Sequence, residues 1–220
     1  MRGLSAVRVV DFSSWIAGPY ASKLFADAGA DVIKVEKPAG DDSRRFVPPE
    51  IEGESAAYMM MNRNKRGISL NLKDPAAVDI LRKLRAEADV VIENYRKGTM
   101  EKLGLSYEDL AKVNPRLIYC SITGFGQTGP YRERAGYDFA VQAMGGLMSV
   151  TGERDDAGGG PQKVGVAVAD LFTGMYATVA ILAAIRHAES TGTGQHIDMA
   201  LLDTQVAMLA NLGSNYLVSG

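Results

Sequence analysis

Asp170 is the only acid in a long apolar run, Lys163 to Arg186, K-V-G-V-A-V-A-D-L-F-T-G-M-Y-A-T-V-A-I-L-A-A-I-R. A run of this length is a candidate membrane span, but a carboxylate inside a bilayer is costly. The run divides more naturally into a short buried extended segment, Val164 to Ala169, and a helix from about Leu171 to Glu189. Asp170 then falls at the helix N-cap, where free amides and the helix dipole stabilise a negative charge. Such an acid is either a cap on a core helix or a catalytic acid. Its neighbours Gly165, Ala167, Ala169 and Gly174 are small and leave room for something to approach it. The turn Gly158-Gly159-Gly160-Pro161 upstream reads as a mobile surface loop.

A second group of residues could bind rather than react. Lys37, Arg44, Lys73, Arg96 and Lys102 fall at or just after strand-like runs. In an open α/β sheet, ligands bind outside the carboxyl ends of the strands. Several cations there suit a ligand with several phosphates, although each one alone reads equally well as solvated charge. The stretch Gly124 to Gly129 spells G-x-G-x-x-G. Pro130 follows at once, the next residues are polar, and no βαβ unit with a distant acid comes after. A flexible glycine loop fits better than a nucleotide-binding turn. Cys120 lies in an apolar strand-like run with no histidine nearby in sequence, so it reads as core.

The positioning elements alternate. Val7 to Asp11 reads as a strand, Pro19 to Ala28 as a helix, and Asp31 to Glu36 as a second strand ending in an acid. This is a βαβ unit of the Rossmann type without the glycine fingerprint. Ile68, Leu70 and Leu72 alternate as a half-buried strand would. Asp74-Pro75 opens a helix to about Ala88. Asp89 to Glu93 is a strand, Ser106 and Asp109 form a capping box, and Leu117 to Ile122 is another strand. Tyr137 to Val150 reads as a helix weakened by Gly145-Gly146. Gln195 to Met199 is a short strand, and Leu201 to Leu217 an apolar helix. The fold class is therefore α/β: an open, mostly parallel, Rossmann-like sheet with helices on both faces. The four runs 7–11, 31–36, 89–93 and 117–122 should lie side by side in it.

The 220 residues are 46% hydrophobic and 23% charged, ordinary values for a soluble globular domain. A net charge of -2 gives no basic field for nucleic acid. One cysteine leaves no internal disulfide and no cysteine-based metal site. No secretory signal is evident at the N-terminus, so a cytoplasmic location is the default.

Six stretches then match a known family in order: V-V-D-F-S-S-W-I-A-G-P, D-V-I-K-V-E-K-P-A-G-D-D-S-R, N-R-N-K-R-G-I-S-L-N-L-K, V-I-E-N-Y, G-F-G-Q-T-G-P-Y and A-D-L-F-T-G. Together they resemble the family III CoA-transferases, the CaiB/BaiF family, over the whole chain. Members of that family are about twice as long. They have a large Rossmann-like domain, a smaller domain, and a C-terminal segment that returns to the large one. The resemblance implies that residues 1–220 are the N-terminal part of the large domain, from a homodimer whose subunits interlock.

The resemblance places the family's nucleophilic aspartate on Asp170. It places CoA-binding positions on Ile16, Ala17, Lys37, Leu70, Lys73, Asn94, Tyr95, Arg96, Lys102, Tyr137 and Asp138. Coenzyme A enters as an acyl-CoA substrate, the second partner is a small carboxylic acid, and neither a metal nor a membrane is implied. Formyl-CoA transferases carry Gln where this chain has Ile16, which counts against formyl or oxalate specificity. An aspartate with a pKa near ~3.9 is ionised at neutral pH and needs no base to attack a thioester. Helix amides would stabilise the oxyanions, and the glycine loops 124–129 and 158–160 are candidate lids. The related 2-methylacyl-CoA racemases pair the aspartate with a histidine, and that position is Tyr137 here. A phenol with a pKa near ~10 is a poor base for the task. A non-catalytic CoA-binding or dimerisation fragment is the remaining alternative.

Overall fold

The computed structural model describes residues 3–219, the side chains of Arg82, Arg85, Ala86 and Asp155 excepted. Six strands form one sheet: β1 Arg8–Asp11, β2 Asp31–Glu36, β3 Arg66–Ser69, β4 Val90–Glu93, β5 Ile118–Thr123 and β6 His196–Ala200. Their order is β3-β2-β1-β4-β5-β6, and every pairing is parallel. The four runs expected to be neighbours are neighbours. The chain order reverses between β1 and β4, and an open sheet binds its ligands at such a switch point. Strands buried on both faces need continuous apolar runs. Val90, Val91 and Ile92 are each fully buried for that reason.

On one face α1 (Ala17–Asp27) and α7 (Val168–Thr191) pack through Phe25, Ala177 and Ile181 against Val9, Val32, Ile92 and Cys120. Burying a side chain such as Ile181 stabilises the fold by about 1.5–3 kcal/mol, and truncation to Ala would cost about 2–5 kcal/mol. On the other face Leu81 of α3 (Pro75–Ala86) and Leu110 of α5 (Tyr107–Ala111) pack against Val10, Val35, Val91 and Tyr119. Asp74 Oδ1 accepts from Ala76 N at 2.9 Å at the start of α3, and Ser106 caps α5.

Several local expectations are corrected. Residues 50–62 form a short hairpin, Glu50–Ile51 with Glu54–Ser55, followed by α2 (Ala56–Asn62). Val164 to Ala169 is not a buried strand. Gly165 and Val166 are exposed, and α7 begins at Val168. Asp170 therefore lies in the first turn, with Ala167 at the N-cap and no side-chain cap of its own. The helix after β6 breaks in two, α8 (Leu201–Met208) and α9 (Ala210–Ser219), where Ala210 takes a φ of 47°. α6 stops at Met144 (Asp138–Met144), before Gly145 and Gly146. A further helix, α4, is one turn, Thr99–Lys102.

By length and composition α7 could cross a membrane. In the fold it packs through Ala169, Thr173, Ala177, Ile181, Ala184 and Ala188. Its other side leaves Met175, Tyr176, Val179 and Leu182 exposed, and Tyr216, Leu217 and Val218 of α9 are exposed too. Exposed apolar surface therefore lies on these two helices.

Candidate active site

A cavity of about 620 Å³ opens at the carboxyl ends of β1, β2, β4 and β5. Its first wall is the turn after β1. Asp11 is fully buried and its Oδ1 accepts from Ser13 N at 2.9 Å and from the Ser13 hydroxyl. Its Oδ2 accepts from Ser22 Oγ at 2.5 Å and pairs with Lys65 Nζ at 3.1 Å. Burial alone would push this carboxyl up, but Lys65, Lys34 and the two serine hydroxyls hold it at about 2. Lys34, also buried, donates to Ser13 O at 2.7 Å and pairs with Asp41 Oδ2 at 2.8 Å. From the far side, Asn94 accepts from Ser14 N at 2.9 Å and donates to Ser14 O at 2.7 Å. The turn so clamped delivers Trp15 with a φ of 70° and then starts α1.

The second wall is α7. A Cβ on Gly174 would stand 2.7 Å from Ala17 O, so only glycine lets α7 approach α1 this closely. The space beside Gly174 is thus filled by α1, whereas Gly165 is open and lines the cavity. The approach sets the backbone of Ala17 beside Asp170, where it pulls the carboxyl's pKa down.

The third wall follows β5. The backbones of Gly124 and Gly136 touch, since a Cβ on Gly124 would meet Gly136 Cα at 2.4 Å. That contact seats Tyr137 and Asp138 at the cavity. Asp138 Oδ2 accepts from Ala169 N at 2.8 Å and Asp170 N at 3.3 Å, so it caps α7. Its Oδ1 accepts from Gln142 Nε2 at 2.5 Å, and Gln142 Oε1 accepts from Val164 N at 2.8 Å. Burial first, and the Asp138 charge second, raise the Asp170 carboxyl to about 7, against the pull of the Ala17 backbone. The ordinary aspartate pKa expected from sequence is corrected by that environment. The helix amides expected to stabilise oxyanions are also partly committed, because two of them serve Asp138.

Ile16, Ala17, Lys37, Asn94, Tyr95, Arg96, Tyr137 and Asp138 line the cavity together with Asp170. Leu70, Lys73 and Lys102 lie outside its lining. Leu70 continues β3 past its carboxyl end, donating from its N to Glu36 O at 2.8 Å, and packs against the second core. Lys73 and Lys102 are exposed. Arg44 faces inward to protein groups: Glu36 at 2.9 Å, Glu54 at 2.8 Å, and the Tyr58 ring at 3.8 Å. It is committed to the fold and is not available to a phosphate. Trp15, Lys34, Lys97, Arg132, Arg134 and Lys163 also line the cavity, and sequence reasoning did not select them. Lys97 adjoins Arg96, and Arg132 and Arg134 sit in the polar stretch after the glycine loop, so local charge was the available signal. That loop is tied down: Gly126 N donates to Thr123 Oγ1 at 2.9 Å and Gln127 N to Asp198 Oδ2 at 2.8 Å. Cys120 is buried inert core, with burial first among the causes that raise its thiol.

The sheet and cavity define an α/β protein with a half-buried carboxylate in a cavity at the switch point of a parallel sheet and cations around the opening. The chain belongs to CoA-transferase family III, whose family model matches residues 4–220. It is 55% identical over 224 residues to succinate–glutarate CoA-transferase of Agrobacterium fabrum, covering 99% of this chain and 55% of that protein. It is 47% identical to succinyl-CoA:glutarate CoA-transferase of Homo sapiens, covering 99% and 49%. A crystal structure of a CaiB/BaiF family protein from Brucella suis superimposes with a TM-score of 0.95 at 51% identity, over 99% of this chain and 58% of that one. The chain spans about half the length of the curated relatives it matches.

Proposed function

We propose that the protein is a CoA-transferase that moves CoA from a succinyl-CoA-type donor to a small dicarboxylic acid of the glutarate kind. The observation that carries this reading is Asp170, a half-buried carboxylate facing the cavity in a chain 55% identical to a succinate–glutarate CoA-transferase. Residues 1–220 form the N-terminal part of the large domain in this proposal. The exposed apolar sides of α7 and α9 support their burial in a longer chain and an interlocked homodimer.

Ionised Asp170 attacks the thioester carbonyl and expels CoA thiolate, forming an aspartyl–acyl anhydride. The thiolate attacks the aspartyl carbonyl and releases the donor acid, leaving an aspartyl-CoA thioester. The acceptor carboxylate displaces the thiolate to form a second anhydride. The thiolate then attacks the acceptor carbonyl, which gives the new acyl-CoA and restores Asp170. The Ala17 backbone, which already favours the charged carboxylate, serves as an oxyanion donor in this reading. The thioester end of CoA lies at Asp170. Its phosphates run past Lys37 and Arg96, and its nucleotide reaches the end of β3, where Leu70 and Lys73 lie outside the cavity. The racemase reading gains no support, because neither His187 nor His196 lines the cavity.

The test is a donor–acceptor panel followed by mass spectrometry of the CoA esters. Glutaryl-CoA formed from succinyl-CoA and glutarate supports the reading. Absence of transfer to every dicarboxylate in the panel contradicts it.

A further inference from the structure

Trp15 is the only tryptophan in the sequence, and it occupies an unusual position. Its φ of 70° lies in the left-handed region, which bulky residues rarely adopt. Backbone strain of that kind persists only where the surroundings over-determine it. Here the surroundings are the Lys34 and Asn94 hydrogen bonds that grip Ser13 and Ser14 from two sides. The side chain is 39% exposed, so burial in the core is not the compensation.

The indole meets two other rings. Its centroid is 5.4 Å from Phe46 and 6.5 Å from Tyr137, the latter edge-on at 80°. The three rings come from three separate segments: the turn after β1, the loop after β2, and the N-cap of α6. They stand apart from both apolar cores. Trp15 and Tyr137 line the cavity that holds Asp170, and so does Ala17, two residues after Trp15.

We infer that Trp15, braced by Phe46 and Tyr137, shields the acylated Asp170 from water. The inference rests on the CoA-transfer reading. An aspartyl-CoA thioester is open to a side reaction in which water attacks the aspartyl carbonyl. A C–O bond forms, the C–S bond breaks, and the products are the Asp170 carboxylate and free CoA thiol. The net result is hydrolysis of the donor acyl-CoA with nothing transferred. An apolar wall on the cavity that holds that carbonyl suppresses the loss.

The experiment measures the partition ratio, free thiol released against new acyl-CoA formed, in one reaction with saturating acceptor. Loss of folded protein lowers both products equally and leaves the ratio unchanged. Trp15→Gly removes the ring and suits the left-handed backbone, Trp15→Asn is a second ring-free variant that tolerates it, and Trp15→Phe keeps a ring. The ratio should rise about tenfold in the ring-free variants and stay within about twofold of wild type in Trp15→Phe. An unchanged ratio in a folded ring-free variant would overturn the inference, as would an equal rise in Trp15→Phe. A wild-type protein without any transfer would instead overturn the CoA-transferase reading, and this inference with it.

Discussion

Asp138 of α6 caps the helix that carries Asp170, accepting from the amides of Ala169 at 2.8 Å and of Asp170 itself at 3.3 Å. The same carboxylate that satisfies the helix terminus raises the pKa of its neighbour. After burial, the charge of Asp138 is the larger contributor to a carboxyl held at about 7. Two carboxylates this close tend to separate their titrations.

Attack on a thioester requires ionised Asp170, so transfer should rise with pH through about 7 and level off above it. Asp138→Asn keeps an acceptor for the two amides and removes the charge. The rising limb should therefore move to lower pH, and initial rates across pH 5 to 9 would show it. An unmoved limb would mean that Asp138 does not set the ionisation of Asp170. Asp138→Ala should additionally cost about 1 kcal/mol of stability through the lost cap.

Asp170→Asn should stabilise the fold in a pH-dependent way. The native carboxyl titrates at about 7 and the unfolded one at 3.8, so between these values the native state holds the extra proton. Wild-type stability therefore falls as pH rises from about 4 to 7, and the cost is fully present above 7. The Asn variant is neutral throughout. Its advantage should be near zero at pH 4 and on the order of 2 kcal/mol at pH 8, once solvent screening is allowed for. Denaturant melts at the two pH values check this. An advantage equal at both would show that burial of charge is not the cause.

The sheet was legible in the sequence because strands buried on both faces must be largely apolar, as Val90 to Ile92 are throughout and 118–122 are apart from Ser121. Asp170 was legible as one acid in an apolar run. Its capping partner was not, because Asp138 lies 32 residues away and meets the helix only where Gly124 and Gly136 let two loops touch. Local sequence therefore assigned Asp170 a cap that a different residue provides. Arg44 looked like a phosphate ligand because two of its partners, Glu54 and Tyr58, are brought to it by the hairpin and α2, which have no strong periodicity. Asn94 was selected as a ligand-binding position, yet its side-chain amide is occupied by the Ser14 backbone.

That occupancy gives a third prediction. Asn94→Ala leaves two backbone groups of the turn without their partner, which should cost about 1–3 kcal/mol. The turn also sets Ala17 against Asp170, so the maximal rate should fall more than the affinity for CoA. Thermal melts, steady-state kinetics and calorimetric CoA binding separate these effects. A variant that loses CoA affinity with an unchanged maximal rate would show that Asn94 contacts the ligand directly.

The cations give a fourth. Arg96 and Lys37 line the cavity, and among the described residues Lys37 pairs with Asp42, at 2.9 Å on the surface. Alanine at either should weaken CoA binding about three- to tenfold at low salt, with the difference shrinking as salt rises. Lys73→Ala should weaken binding as well, through the nucleotide at the end of β3, and unchanged binding would contradict that placement. Calorimetry with CoA and with a CoA analogue lacking the adenosine phosphates would separate the two segments of the site.

The most direct measurement concerns Asp170 as a covalent carrier. Hydroxylamine added during turnover with succinyl-CoA attacks an activated aspartyl carbonyl and leaves a hydroxamate, which peptide mass spectrometry locates. The account predicts a turnover-dependent label on the peptide containing Asp170, absent in Asp170→Asn, a variant that should also lose transfer while retaining CoA binding. An active Asp170→Asn enzyme, or a label on a different acid, would contradict it.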